Sequence, residues 1–228
     1  MTTIALNLQA VLDRIERSAA RHGRSASGIA LLAVSKNCPA SYIEEAVNAG
    51  QRAFGESYAQ EAVKKITALA HLDLQWHFIG PVQSNKTRLI AEHFEWVHGI
   101  DRARIAERLN AARPDGPPLN VCIQVNVSGE GSKSGVAPGE ERQLADVIAG
   151  LPRLRLRGLM AIPEPGGDTR LQRKRYALLR ELQESLVRLG HPLDTLSMGM
   201  SDDLDAAIAE GATLVRVGTA IFGARETL

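Results

Sequence analysis

Lys36 is the residue of this chain whose type and setting most clearly invite chemistry. It closes the run Ala30-Leu-Leu-Ala-Val-Ser-Lys36, which is apolar and rich in strand formers, and Pro39 follows just behind it. Proline supplies no ladder donor, so the strand is expected to stop near Lys36. An ammonium at the end of a buried strand is costly unless it is paired, neutralised or used. A desolvated lysine loses its proton more readily and attacks carbonyl carbon, giving a Schiff base. The competing reading is a lysine that snorkels to the rim of a sheet.

The elements around Lys36 alternate along the chain. Ile4, Leu8, Val11, Leu12, Ile15 and Ala19 recur at helical spacing, so the first twenty-odd residues form an amphipathic helix. Strands are expected over residues 30–36, 52–57, 74–79, 94–100, 119–127, 154–162, 195–201 and 214–222. Helix-sized segments fall between them, at 41–48, 58–69, 84–93, from the N-cap Asp101 to Asn110, 140–149, 168–189 and 202–209. About eight strands separated by helices is the pattern of a closed parallel (β/α)8 TIM-like barrel in one domain spanning residues 1–228, with the first helix as an extra. An open doubly wound sheet shares the alternation, but no G-x-G-x-x-G follows the first strand.

The bulk numbers narrow the function classes. The 228 residues carry a formal net charge of +1, which gives no global field for nucleic acid or membrane surfaces. Cys38 and Cys122 are the only cysteines, too few for a disulfide scaffold and not spaced as metal ligands. The N-terminal stretch lacks the long apolar core of a signal peptide, and no run approaches the roughly 20 apolar residues that span a bilayer. A cytoplasmic protein is expected.

In such a barrel the chemistry sits at the carboxyl ends of the strands. Lys36 and Ser57 fall there on strands one and two, Ser201 on strand seven, and Gly218 and Thr219 late in strand eight. The loops after strands seven and eight are the usual phosphate cradle of this architecture. Ser201 then offers a hydroxyl at the start of the next helix, unless it is only an N-cap. Gly218 lets a phosphate approach the backbone, unless it marks a bulge. A lysine facing a phosphate site suggests an aldehyde that carries phosphate, and pyridoxal 5′-phosphate (PLP) has both groups. Arg216 lies two residues before Gly218, on the same strand face. Pointing inward, it would donate to a pyridine nitrogen, since arginine keeps its protons. An ion pair with Glu56 is the alternative. An arginine on that nitrogen opposes its protonation and weakens the ring as an electron sink.

Several longer motifs stand in order: Ala-Val-Ser-Lys36, Phe54-Gly-Glu, Trp76-His-Phe-Ile-Gly-Pro-Val-Gln-Ser-Asn-Lys86, Ser132-Lys-Ser-Gly135, Arg157-Gly-Leu-Met-Ala-Ile162, Leu196-Ser-Met-Gly-Met-Ser201-Asp and Arg216-Val-Gly-Thr-Ala-Ile-Phe-Gly223. From about residue 30 to 225 the chain resembles the YggS/PROSC family of pyridoxal phosphate homeostasis proteins, which are similar in fold to the barrel domain of alanine racemase. The resemblance implies a PLP Schiff base at Lys36, a phosphate cradle at Ser201, Gly218 and Thr219, and a ring-nitrogen partner at Arg216. It also implies a monomer that buffers PLP or delivers it to PLP-dependent apo-enzymes. The sequence departs from the family at Ser57, where asparagine is usual.

Other features take plainer readings. His77, between Trp76 and Phe78, is expected to be a core or rim histidine. Arg153, Arg155 and Arg157 enter strand six at the face where stability is expected. Arg170, Arg173, Lys174 and Arg175 form a solvated helix face, and Lys133 sits on a loop at the active face. Two rival functions remain. An amino-acid racemase would need an opposing base, yet Tyr42, Tyr58 and Tyr176 all fall on helices. A cofactor-free Schiff-base aldolase would use Lys36 but leave Arg216 unexplained.

Overall fold

A computed structural model of the chain describes residues 2–131, 133–164, 166 and 168–223. Eight parallel strands close into a barrel in sequence order: β1 (Ala30–Val34), β2 (Ala53–Glu56), β3 (Gln75–Phe78), β4 (Trp96–Ile100), β5 (Leu119–Gln124), β6 (Leu154–Met160), β7 (Thr195–Ser197) and β8 (Leu214–Val217). β8 pairs with β1 from Ala30↔Leu214 to Ala33↔Val217, which settles closure against an open sheet. The β7–β8 seam is the thinnest, with Ser197↔Leu214 as its register pair.

Helices cover the barrel: α2 (Ala40–Asn48), α3 (Ala59–Ala68), α4 (Thr87–His93), α5 (Ala103–Ala112), α6 (Glu141–Ala149), α7 (Thr169–Arg188), α8 (Leu204–Ala209) and the single turn α9 (Thr219–Phe222). The extra helix α1 (Thr3–Arg21) buries Ile4, Leu8, Val11, Ile15 and Ala19, the face its periodicity predicts. It packs against α2, α8 and α9.

Two apolar layers result. The large one lies between strands and helices and contains Ile43, Phe54, Ile90, Ile105, Leu109, Leu144 and Leu179. The small one, Trp96, Cys122 and Met160, comes from strands alone. No helix of the described residues is long and apolar enough to cross a membrane.

Strand ends differ from the sequence expectation at three places that matter. β7 stops at Ser197, four residues before Ser201, because Gly199 adopts φ +93°. A Cβ there would also come 2.5 Å from that of Ala207, so only glycine fits both the turn and the helix packed behind it. Ser201 therefore lies in a turn and is not a cap; α8 begins at Leu204, with Asp203 preceding it. β8 stops at Val217, and Thr219 opens α9 instead of extending the strand. Likewise α5 is preceded by Arg102, and Asp101 bonds the Arg102 side chain instead of capping the helix.

Candidate functional site

Lys36 stands two residues beyond β1 and half buried. Its two neighbours are held from behind. Lys65 Nζ on α3 donates to Ser35 O at 2.8 Å, and Asn37 N donates to Glu61 Oε1 at 2.8 Å. Asn37 has φ 60°, a left-handed conformation that asparagine tolerates better than most residues. Lys65 Nζ also reaches Glu56 Oε1 at 2.9 Å and Glu61 Oε1 at 2.5 Å, and Ser35 Oγ donates to Glu56 Oε1 at 2.6 Å. Glu56 is fully buried, and its Oε2 has no hydrogen-bond partner among the described residues. Burial raises its carboxyl pKa, outweighing Lys65 and Ser35, which act the other way. This cluster lies behind the Lys36 turn and occupies the carboxylate that the sequence left as an ion-pair partner for Arg216.

Arg216, 3% exposed, instead donates inside the barrel. Its Nη1 reaches Ser197 O at 2.6 Å and Ser197 Oγ at 2.7 Å, and its Nη2 reaches Ala161 O at 2.8 Å. These bonds use three of five N–H donors. The chain continues from Ser197 Oγ to His98 Nδ1 at 2.7 Å, from His98 Nε2 to His77 Nδ1 at 2.9 Å, and from His77 Nε2 to Gln75 Oε1 at 2.9 Å. Its direction follows from donor chemistry. Gln75 Oε1 can only accept, so neutral His77 donates to it from Nε2 and accepts at Nδ1 from His98 Nε2. His98 Nδ1 in turn accepts the Ser197 hydroxyl proton, while Ser197 Oγ accepts from Arg216. Both imidazoles are neutral: burial pushes His77 down to about 3, and burial, His77 and Arg216 hold His98 well below its usual value. Trp96 stacks on His77 at 5.2 Å, and the Arg157 guanidinium lies over the indole 4.7 Å from its centroid. The expectation that His77 is a core histidine holds.

At the mouth, Lys36, Ser57, Ser201, Arg216, Gly218 and Thr219 line one cavity of about 490 Å³, together with Val34, Ile79, Ile162, Met200, Asp202 and Ala220. All five residues singled out for the cofactor thus meet at one place. Lys133 is not in that lining, and neighbouring Ser132 lies outside the described residues. The turn carrying Ser201 is braced from α7: Tyr176 Oη donates to Asp203 Oδ2 at 2.6 Å, and Met200 N donates to Asp203 Oδ1 at 2.6 Å. Burial, reinforced by Asp203, raises the phenol's pKa. The basic stretch of α7 is the solvated face expected of it: Arg170, Arg173 and Lys174 are exposed, Arg173 pairing with Glu210, and Arg175 is partly buried beside Glu164.

The residues present fit PLP by their chemistry. The lining includes an amine at Lys36, hydroxyls at Ser201 and Thr219, and backbone at Gly218. A guanidinium whose remaining donors can meet only an acceptor sits among them. Among the described residues no His, Cys, Asp or Glu cluster could hold a metal ion.

The closed eight-stranded barrel agrees with the family model of the alanine racemase N-terminal domain, which matches residues 6–226. The chain is 60% identical over 227 residues to a pyridoxal phosphate homeostasis protein of Pseudomonas aeruginosa, covering 99% of this chain and 97% of the relative. It belongs to the YggS/PROSC family of pyridoxal phosphate homeostasis proteins. PipY of Synechococcus elongatus, solved with PLP bound, superposes with a TM-score of 0.82 at 39% identity, over 92% of this chain and 99% of PipY. Alanine racemase of Corynebacterium glutamicum shares the fold, with a TM-score of 0.70 at 18% identity over 99% of this chain and 62% of the racemase.

Proposed function

We propose that this chain binds PLP covalently through Lys36 Nζ and buffers it or delivers it to PLP-dependent apo-enzymes. The observation that carries the reading is the convergence of Lys36, Ser201, Arg216, Gly218 and Thr219 on one cavity. PLP supplies an aldehyde that amines capture reversibly. Lys36 provides the amine, at a turn fixed on both sides by Lys65 and Glu61. Arg216 provides donors toward the ring nitrogen and keeps it from taking a proton. Ser201, Thr219 and the backbone at Gly218 receive the phosphate.

Turnover of amino acids is not part of this proposal. Tyr176 is buried with its hydroxyl committed to Asp203, and no tyrosine is among the residues lining the cavity. A positioned general base typically contributes about 10²–10⁴-fold, so racemisation without a tyrosine as second base forgoes that factor. We further place the protein in the cytoplasm, as a monomer.

The test is to titrate the purified protein with PLP, reduce with borohydride and map the modified lysine. Modification of Lys36, together with much weaker binding of pyridoxal lacking phosphate, is expected. Modification elsewhere, or equal binding of the two, overturns the assignment. Exchange of the alanine α-proton in deuterated water at enzyme-like rates, abolished in Lys36→Ala, would restore the racemase.

A further inference from the structure

The helix α1 lies outside the strand–helix repeat, yet its polar residues reach both segments of the cradle. Arg14 Nη1 donates to Ser201 O at 2.6 Å, while Arg14 Nε and Nη2 grip Asp205 Oδ2 on α8 at 3.1 and 2.7 Å. About two turns earlier on the same helix, Asn7 Nδ2 donates to Ile221 O on α9 at 3.0 Å. Arg21 adds a second hold on Asp205. From these contacts we infer that α1 is a retention clasp for the phosphate end of the ligand, with Arg14 and Asn7 as its positioning residues. The inference rests on the cradle reading given above.

The geometry of the peptide explains how a residue outside the cavity acts on it. In a trans peptide the C=O and the following N–H point in opposite directions, and the described residues contain no cis bond. Arg14 turns the Ser201 carbonyl outward toward α1. The N–H of Asp202 is thereby turned the other way, toward the cavity that Ser201 and Asp202 line. The Ser201 turn has little strand support, since β7 ends at Ser197. On the neighbouring segment, after β8, Asn7 fixes α9, whose first residue Thr219 also lines the cavity. Arg14 holds by a fork of donors that lysine cannot reproduce, so its role is orientation as well as charge.

The experiment compares Arg14→Met, Asn7→Ala and Arg14→Lys with wild type, in the full-length PLP-loaded protein. Three quantities are read: the rate of PLP release to a scavenging amine, the affinities for PLP and for pyridoxal, and apo-protein thermal stability. Arg14→Met is expected to release PLP roughly 10-fold faster, the low end of what partners behind an ion's direct contacts contribute. Its pyridoxal affinity should stay unchanged, because pyridoxal does not use the cradle. Arg14→Lys should resemble Arg14→Met. Unchanged release, or equal weakening of PLP and pyridoxal, overturns the clasp; so does wild-type retention in Arg14→Lys, which would assign the effect to charge alone. Should Arg14→Met fail to fold, Asn7→Ala carries the same comparison from the neighbouring segment. The two readings fail differently: a wild type that binds PLP and pyridoxal equally removes the cradle itself, whatever α1 does.

Discussion

The two walls of the cavity are built on different principles. The Lys36 wall, from β1, β2 and α3, is backed by buried charge: Glu56, Lys65 and Glu61 interlock behind the turn, and Lys65 fastens the residue before the lysine. The cradle wall, from β7 and β8, has short strands with one register pair. It is held by hydrogen bonds from elsewhere: Tyr176 through Asp203, Arg14 on Ser201 O and Arg216 on Ser197. A covalent bond that must form and break repeatedly needs its lysine in one place, which a buried ion cluster secures. A phosphate that must be gripped and let go is better served by a turn whose supports are separate and individually modest. The difference suits a carrier, where capture and release are the work.

Four substitutions test the contrast. Lys36→Ala removes capture itself, so borohydride should fix no PLP at that wall; full-occupancy trapping on another lysine would relocate the covalent end. Lys65→Met leaves Glu56 buried without its cation and should cost about 3–5 kcal/mol in a urea unfolding experiment. A loss below about 1 kcal/mol, the range of exposed pairs, would mean that the cluster does not stiffen this wall. On the cradle wall, Ser201→Ala and Thr219→Val each remove one charge-assisted bond worth about 1.5–3 kcal/mol, weakening PLP roughly 10- to 150-fold by equilibrium dialysis. Thermal stability of the apo-protein should hardly change in either variant, in contrast with Lys65→Met.

A further test concerns the polar chain that supports Arg216 from within. His77 has its folded-state pKa lowered to about 3, so below its ordinary value near 6.5 the unfolded chain binds a proton that the folded one does not. Its stability contribution is therefore complete above about pH 6.5 and is lost as pH falls toward 3, at about 1.4 kcal/mol per pH unit. His77→Gln keeps an amide in the chain without the titration. Its unfolding free energy should fall less steeply between pH 6 and 4 than that of wild type, and identical slopes would remove His77 from the account.

How much of this could be read from the sequence follows the same division. Lys36 and Arg216 were legible because each depends on strand logic: where a strand stops, and which residues share a face. The barrel was legible for the same reason. Ser201 and Thr219 were legible as residues but not in conformation, since strand alternation runs through a left-handed glycine such as Gly199 without registering it. The supports were not legible. Glu56 with Lys65, His77 with His98, Tyr176 with Asp203 and Arg14 with Ser201 are partners across elements, and neither periodicity nor spacing pairs them. Asp101 shows a limit of local rules, because a good capping residue was claimed by the neighbouring Arg102 side chain.

Closure of the sheet between β1 and β8 has a consequence for how the protein is made. The lysine arrives with the first strand and the cradle with the last, and the edge of β1 finds its second neighbour only when residues 214–217 are available. At roughly 5–20 residues per second of synthesis, Lys36 precedes Arg216 from the ribosome by about 10–40 s. During that interval the growing chain presents an unpaired strand edge, the kind of surface on which chains associate wrongly. On the reading proposed above, a nascent chain without residues 214–219 lacks the phosphate site, and gripping the ligand is a property that appears only when the ring is sealed.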